Sequence, residues 1–231
     1  MEQNVHIDDQ GGAALVASAS DRNRVLRNTY WLLALSMVPT VLGAWLGVQT
    51  GIASAMGPGI GLVVFLVGAF GFMFAIEKFK NSPAGVPVLL GFTFFMGVML
   101  SRLLAVVLGQ SNGAGLVMTA FAGTGVIFFA MATLSSVVKR DLSGMAKFML
   151  IGAVLIFVAA IANVFLQSGA LMITIAVVAI AVFSFFILYD LKRVADGEET
   201  NYITATLGVY LSIYNVFQSL LAILGIVGGD D

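Results

Sequence analysis

Seven long apolar segments, separated by short polar ones, run along this chain of 231 residues. Each contains about 20 residues, which is enough to cross the roughly 30 Å hydrocarbon core of a bilayer as an α-helix. The pattern therefore predicts an all-α membrane protein with seven transmembrane helices. The predicted helices cover residues 28–48, 58–76, 86–108, 115–138, 145–166, 171–191 and 203–227.

The composition agrees with this prediction and narrows the function. Hydrophobic residues make up 60% of the chain and charged residues 10%, against about 25% charged residues in a typical soluble domain. The formal net charge of −1 predicts no nucleic-acid partner, because phosphate backbones are bound by clustered positive charge. The chain has no cysteine, which excludes disulfides and thiol nucleophiles.

The basic residues fall at one end of the predicted bundle, here called the basic end, and the opposite end is called the far end. Cytoplasmic loops of membrane proteins are enriched in Lys and Arg, so the basic end is predicted to be cytoplasmic. The N-terminus then lies inside, and seven crossings place the C-terminal Asp230 and Asp231 outside. Ten of the eleven basic residues belong to this set: Arg22, Arg24, Arg27, Lys78, Lys80, Lys139, Arg140, Lys147, Lys192 and Arg193.

The polar N-terminal segment predicts a division of the chain into two parts. Residues 1–27 are expected to form a disordered cytoplasmic tail, because their composition buries little apolar surface. They lack the compact apolar region of a signal peptide. Residues 28–231 are expected to form the seven-helix transmembrane domain.

Residues for catalysis in the membrane are missing. The single histidine, His6, lies in the polar tail, so zinc sites of the HExxH type and Ser–His pairs have no histidine in the membrane. Glu77 and Asp190 are the only acids that lie in or border the predicted helices. We therefore predict that the protein is not an enzyme.

Asp190 stands near the end of the sixth predicted helix and is the main candidate for chemistry, because a carboxylate next to hydrocarbon is costly. In one interpretation it is an interfacial acid that pairs with Arg193, three residues along the helix, or with Lys192. In the other it lines a cavity for protons or cations that faces the cytoplasm.

The last predicted helix carries a polar stripe, which also has two interpretations. Ser212, Asn215 and Ser219 share one helical face, with Gln218 close beside it. Such side chains commonly form hydrogen bonds between helices. The alternative is that the stripe, together with Asp190, forms an ion or proton pathway.

Arg102 is the one basic residue away from the basic end, within the third predicted helix. It is either a snorkelling side chain that reaches the headgroups or a cation that faces a pore or supports the structure. Gly43, Gly47 and Gly51 recur every four residues, a spacing that allows membrane helices to pack closely.

Four segments together resemble the Bax-inhibitor (transmembrane BAX inhibitor motif) family and, within it, the bacterial YccA-like branch. The resemblance extends over nearly the whole chain after Arg22. It implies that the last helix is central and is wrapped by two groups of three helices. The segments are RNTYWLLALSM, GFTFFMGVMLS, ILYD and GVYLSIYNVFQSLLAILG.

The resemblance also implies two functions. Some members are pH-sensitive calcium leak channels with paired aspartates in the last two helices. Asp190 matches the first aspartate, but Ser212 stands at the second, so the resemblance implies no paired-aspartate calcium site here and leaves Asp190 as the single carboxylate for calcium. The YccA-like role is instead a modulator of the FtsH-type membrane protease in the bacterial inner membrane. The protease would engage the N-terminal tail, around Arg22, Arg24 and Arg27.

Overall fold

The structure, a computed structural model, describes the backbone of residues 9–228 and the side chains of residues 19–228. This part of the chain is helical, with seven helices that are long and apolar enough to span a membrane. The prediction of an all-α protein with seven transmembrane helices is thereby confirmed. The helices are α1 (Asp9–Thr50), α2 (Ile52–Ala55), α3 (Pro58–Phe79), α4 (Gly85–Leu108), α5 (Gly113–Val137), α6 (Ser143–Leu166), α7 (Gly169–Asp196) and α8 (Tyr202–Val227).

The first helix begins much earlier than the sequence predicted. It starts at Asp9 rather than at residue 28, so residues 9–27 of the predicted tail belong to this helix, and the division of the chain into a disordered tail and a transmembrane domain stays a prediction. The physical reason is local, since this stretch is rich in Ala and Arg, which favour helix. The part of the predicted tail before Asp9, and the predicted position of Asp230 and Asp231, lie outside the described residues.

Close contact between α1 and α4 forms one side of the bundle. A methyl group added to Gly43 of α1 would overlap the backbone of Phe94, and one added to Gly97 of α4 would overlap the backbone of Thr40. Gly47 packs in the same way against Ser101. The small residues therefore let the two backbones approach, as the spacing of Gly43 and Gly47 predicted.

The last helix lies inside the bundle. It packs against α1, α3, α4, α5 and α7, and its large side chains Tyr210 and Tyr214 are buried. These contacts are those expected of a central helix, whereas the arrangement of the other helices in two groups of three stays a prediction. By contrast, α6 presents large apolar side chains outward, including Phe148, Leu155 and Phe165.

Candidate functional site

The connection between α7 and α8 is a short loop with a defined end on each side. Gly197 follows α7 in the left-handed conformation, with φ of 82°, and its N–H donates to the carbonyl oxygens of Arg193 and Val194. Glycine suits this position because it has no side chain to strain there. Asn201 begins α8, and its side-chain oxygen accepts from the N–H groups of Ile203 and Thr204.

Asn201 also ties this loop to a neighbouring one. Its side-chain nitrogen donates to the carbonyl oxygen of Lys80 at 3.2 Å and to Oδ1 of Asn81 at 2.8 Å. The amide therefore satisfies free N–H groups of α8 and holds the α3–α4 loop at the same time. The sequence analysis did not single out Asn201, although asparagine before an apolar helix is a recognised capping signal.

The charged side chains around the end of α7 pair with one another and leave Asp190 out. Lys192 is buried and contacts Asp196 at 2.6 Å. Arg193 lies 3.8 Å from both Glu198 and Glu199. None of the ion pairs among the described residues includes Asp190, so the predicted pair between Asp190 and Arg193 is not formed. The turn at Gly197 brings the two glutamates back to Arg193, which helical spacing alone did not indicate.

Asp190 lies inside α7 rather than at its end, because the helix continues to Asp196. Its carboxylate packs against Gly208 of α8. A methyl group on Gly208 would lie 2.8 Å from Asp190 Oδ2. Gly208 therefore makes room for the carboxylate between the two helices, a role that the sequence analysis missed.

The face of α8 that meets Asp190 carries two hydroxyl groups. Thr204 and Ser212 lie four residues before and after Gly208, which places each about 6 Å from it along the helix. Ser212 is buried. The hydroxyl oxygen of Thr204 is buried without a hydrogen-bond partner. The site thus combines one carboxylate with neutral polar groups, and Thr204 is a further member that the sequence analysis did not name.

The remaining residues of the predicted stripe lie in different environments. Ser219 is buried, whereas Asn215 donates to the carbonyl oxygen of Leu211 in its own helix at 2.8 Å. Gln218 is exposed and borders a cavity near the far end. The stripe is therefore not one continuous polar surface.

Two tyrosines fix α8 to the helices around it. The hydroxyl of Tyr210 lies 2.9 Å from Thr40 Oγ1 of α1. The hydroxyl of Tyr214 donates to the carbonyl oxygen of Met96 in α4 at 3.3 Å. These bonds position the face of α8 that meets Asp190, and no pattern in the sequence could have paired residues so far apart.

A cavity of about 160 Å³ lies at the basic end, beside the end of α7. Lys139, Asp141, Lys192 and Arg193 contribute to its wall, and Asp190 does not. Hydrogen bonds from the backbone N–H and the hydroxyl of Ser143 lower the pKa of the Asp141 carboxyl. The cavity thus has mixed charge and is separate from the Asp190 carboxylate.

The arginines of the predicted tail belong to α1 and are exposed. Arg22 reaches the loop after α7, since a methyl group on Gly197 would lie 2.7 Å from its Cδ atom. Arg24 and Arg27 lie on the same helical segment. The segment predicted to bind a partner therefore contacts the loop between α7 and α8.

The described residues contain no group of three or more His, Cys, Asp or Glu side chains that could hold a metal ion. At this site Asp190 would give a cation one carboxylate, and the other ligands would have to be hydroxyl or carbonyl oxygens of neighbouring residues. Calcium sites in proteins commonly use several oxygen ligands, among them carboxylates.

Comparison with known proteins relates nearly the whole chain to one family. Residues 22–229 match the family model described as inhibitor of apoptosis-promoting Bax1. The modulator of FtsH protease YccA of Escherichia coli K12 is 36% identical over 222 residues, which is 94% of this chain and 99% of that protein.

Two further relatives show the same extent of similarity. The inner membrane protein YccA of Escherichia coli O6:H1 is 36% identical over 94% of this chain and 99% of its own length. A membrane protein of Vibrio cholerae is 36% identical over 91% of this chain and 93% of its own. The similarity therefore covers the complete bundle, including the α7–α8 pair.

Proposed function

Because the chain belongs to the Bax inhibitor family, we propose that it is a non-enzymatic modulator of an FtsH-type membrane protease in the bacterial inner membrane. The observation that carries this proposal is the 36% identity to the modulator of FtsH protease YccA over 94% of the chain. The name of the second relative, inner membrane protein YccA, supports the location.

The N-terminal part of the chain is the proposed contact with the protease. Arg22, Arg24 and Arg27 are exposed at the basic end, which the predicted orientation places in the cytoplasm. Terminal segments are the usual places where a protease engages a folded protein. Since Arg22 also packs on Gly197, engagement of the tail would disturb the loop that joins α7 and α8.

Removal of residues 2–20 tests this proposal. The full chain and the shortened chain are each purified from detergent-solubilised inner membrane, and the co-purified FtsH-type protease is measured. Degradation of a membrane substrate is followed in the same cells. We expect the shortened chain to lose both association with the protease and the effect on degradation. If both are unchanged, the proposal is wrong.

A second variant separates the length of the tail from its charge. Arg22, Arg24 and Arg27 are replaced together by Gln in the full-length chain. Loss of association in this variant would assign the contact to the basic residues. Retention would assign it to residues 2–20 themselves. The thermal unfolding midpoint of each variant is also measured. It must equal that of the parent chain, so that a loss of association does not result from unfolding.

A calcium or cation leak is the second candidate function, and one observation favours it. No ion pair among the described residues occupies the Asp190 carboxylate, which lies between α7 and α8 beside Gly208. A free carboxylate at this depth is a candidate for binding a cation or proton. Ser212 weighs against a sensor with two carboxylates, because a serine cannot share a titrating proton with Asp190.

Flux measurements distinguish the leak from the protease role. The protein is placed in liposomes that contain a calcium dye, and influx is compared at acidic and neutral pH. Asp190→Asn should abolish the influx if Asp190 is in the pathway, and Ser212→Asp should make the influx more dependent on pH. Equal flux in the parent and Asp190→Asn at both pH values would exclude the mechanism.

A further inference from the structure

Arg102 is the only charged residue in the far half of the described bundle. It lies in α4, six residues before the helix ends at Leu108, or about 9 Å along the axis. Its side chain is exposed and forms no ion pair with the described residues. A permanent positive charge at this depth therefore lacks a partner within the part of the protein that the structure describes.

Arg102 borders a cavity rather than an open helix surface. The cavity has a volume of about 190 Å³ and lies between the α2–α3 junction, α4 and α8. Gln218 of α8 contributes a second polar side chain. Met56, Phe65 and Leu103 provide an apolar wall. Four helices thus build a space that is polar on one side and apolar on the other.

The start of α3 borders this space through Gly61, whose N–H donates to the carbonyl oxygen of Gly57. Gly61 also leaves room, because a methyl group there would come no closer to another atom than 3.9 Å, at Cβ of Met56.

We propose that this cavity binds the headgroup phosphate of an anionic phospholipid. The guanidinium of Arg102 matches a phosphate oxygen pair, the Gln218 amide donates beside it, and the acyl chains lie along Phe65 and Leu103. A merely snorkelling arginine needs neither a second donor nor a cavity between helices. The lipid comes from the leaflet at the far end, which the predicted orientation makes the outer one. Binding of a lipid here requires neither the protease contact nor the leak.

Native mass spectrometry of the purified full-length chain tests the site. The delipidated protein in detergent is titrated with phosphatidylglycerol, and in a separate arm with zwitterionic phosphatidylcholine. We expect one saturable phosphatidylglycerol and weaker binding of phosphatidylcholine. Arg102→Gln should weaken phosphatidylglycerol binding about tenfold, the size expected for one charge-assisted hydrogen bond. Equal affinity of Arg102→Gln and the parent overturns the proposal.

Two further variants keep the test decisive. Gly61→Leu fills the cavity and leaves Arg102 in place, so it should weaken binding to a similar degree even if Arg102→Gln folds poorly. Arg140→Gln removes an exposed arginine from the basic end and should bind phosphatidylglycerol as the parent does. Loss of the saturable site in Arg140→Gln would place the lipid elsewhere and contradict the proposal.

Inorganic phosphate distinguishes a lipid from a free anion. Phosphate added at increasing concentration should not displace phosphatidylglycerol, because it gains nothing from the apolar wall. Displacement at equal concentrations would mean that the cavity recognises a free anion, and the assignment to a lipid would then be wrong.

Discussion

Gly208 determines how closely α8 approaches Asp190. Any larger residue would place its first carbon within about 3 Å of the carboxylate, so one of the two groups would have to move. The absence of a side chain at position 208 of α8 therefore makes room for the Asp190 carboxylate of α7. Helical periodicity could identify Asp190 as an unusual acid, but it could not reveal the glycine opposite.

Replacement of Gly208 by Ala should destabilise the protein by about 1–2 kcal/mol, a modest overpacking cost, because the carboxylate can rotate away in part. The thermal unfolding midpoint in detergent measures the effect. In an Asp190→Ala background the same substitution should cost much less, since the overlapping oxygen is gone. Gly125→Ala is the matched control, because a methyl group there meets no atom within 4 Å. Equal effects of Gly208→Ala in both backgrounds would contradict the contact.

Asn201 combines two functions that substitutions can separate. Asn201→Ser retains an acceptor for the free N–H groups of α8 but loses the bonds to Lys80 and Asn81. Asn201→Ala loses both sets and should cost about 1 kcal/mol more than Asn201→Ser, the usual value of an N-cap. Asn81→Ala leaves the cap intact and should be milder than either. Thermal unfolding midpoints give the order of stability of the variants. An equal loss of stability in Asn201→Ser and Asn201→Ala would rule out the capping role.

At the scale of the helices, apolar run length predicted most of what is observed. Predicted and observed limits agree closely for α3, α4, α5, α6 and α8, because a bilayer demands helices of similar length. The four residues of α2 are too few to produce a periodic pattern. The extension of α7 to Asp196 was missed because its last turns are charged. Those turns bury Leu191 and Val194, and ion pairs such as Lys192 with Asp196 add to the stability of the helix.

The site was less predictable than the helices for a related reason. Asp190 and Ser212 could be identified from the sequence because polar residues are rare in apolar runs. Their neighbours depend on how helices pack, which is set by contacts such as that of Tyr210 with Thr40. One interpretation of the sequence paired Asp190 with Arg193, but Arg193 lies beside Glu198 and Glu199 of the loop after α7 instead.

The α1–α4 contact should be the least tolerant of added volume. A methyl group on Gly97 would overlap the backbone of Thr40, and a backbone cannot rotate away as a side chain can. Gly97→Ala should therefore force the helices apart and cost about 3 kcal/mol, at the upper end of overpacking effects. Gly71→Ala in α3 is the control, with no atom within 4 Å. Thermal unfolding compares the two, and similar midpoints would show that the helices are not in backbone contact.

At the scale of the whole molecule, α8 connects the candidate sites at the two ends. Gly208 faces Asp190 toward the basic end, and Gln218 borders the cavity of Arg102 toward the far end. Ten residues of helix, about 15 Å, separate the two positions. Since Tyr210 and Tyr214 hold the intervening turns to α1 and α4, a shift of α8 along its axis would alter both sites together.

The predicted orientation of the bundle decides whether the proposed protease contact faces the cytoplasm and which leaflet supplies the lipid to the Arg102 cavity. Because the chain has no cysteine, a single introduced cysteine is the only residue that a maleimide labels, and its labelling shows on which side of the membrane it lies. Ser111 in the α4–α5 loop and Ala84 in the α3–α4 loop are exposed at opposite ends. In intact spheroplasts a membrane-impermeant maleimide should label Ser111→Cys and spare Ala84→Cys, which should react only after permeabilisation. The basic residues predict this result, since they resist translocation. The reverse labelling would place Arg22, Arg24 and Arg27 outside, away from a cytoplasmic protease, and would move the Arg102 cavity to the inner leaflet.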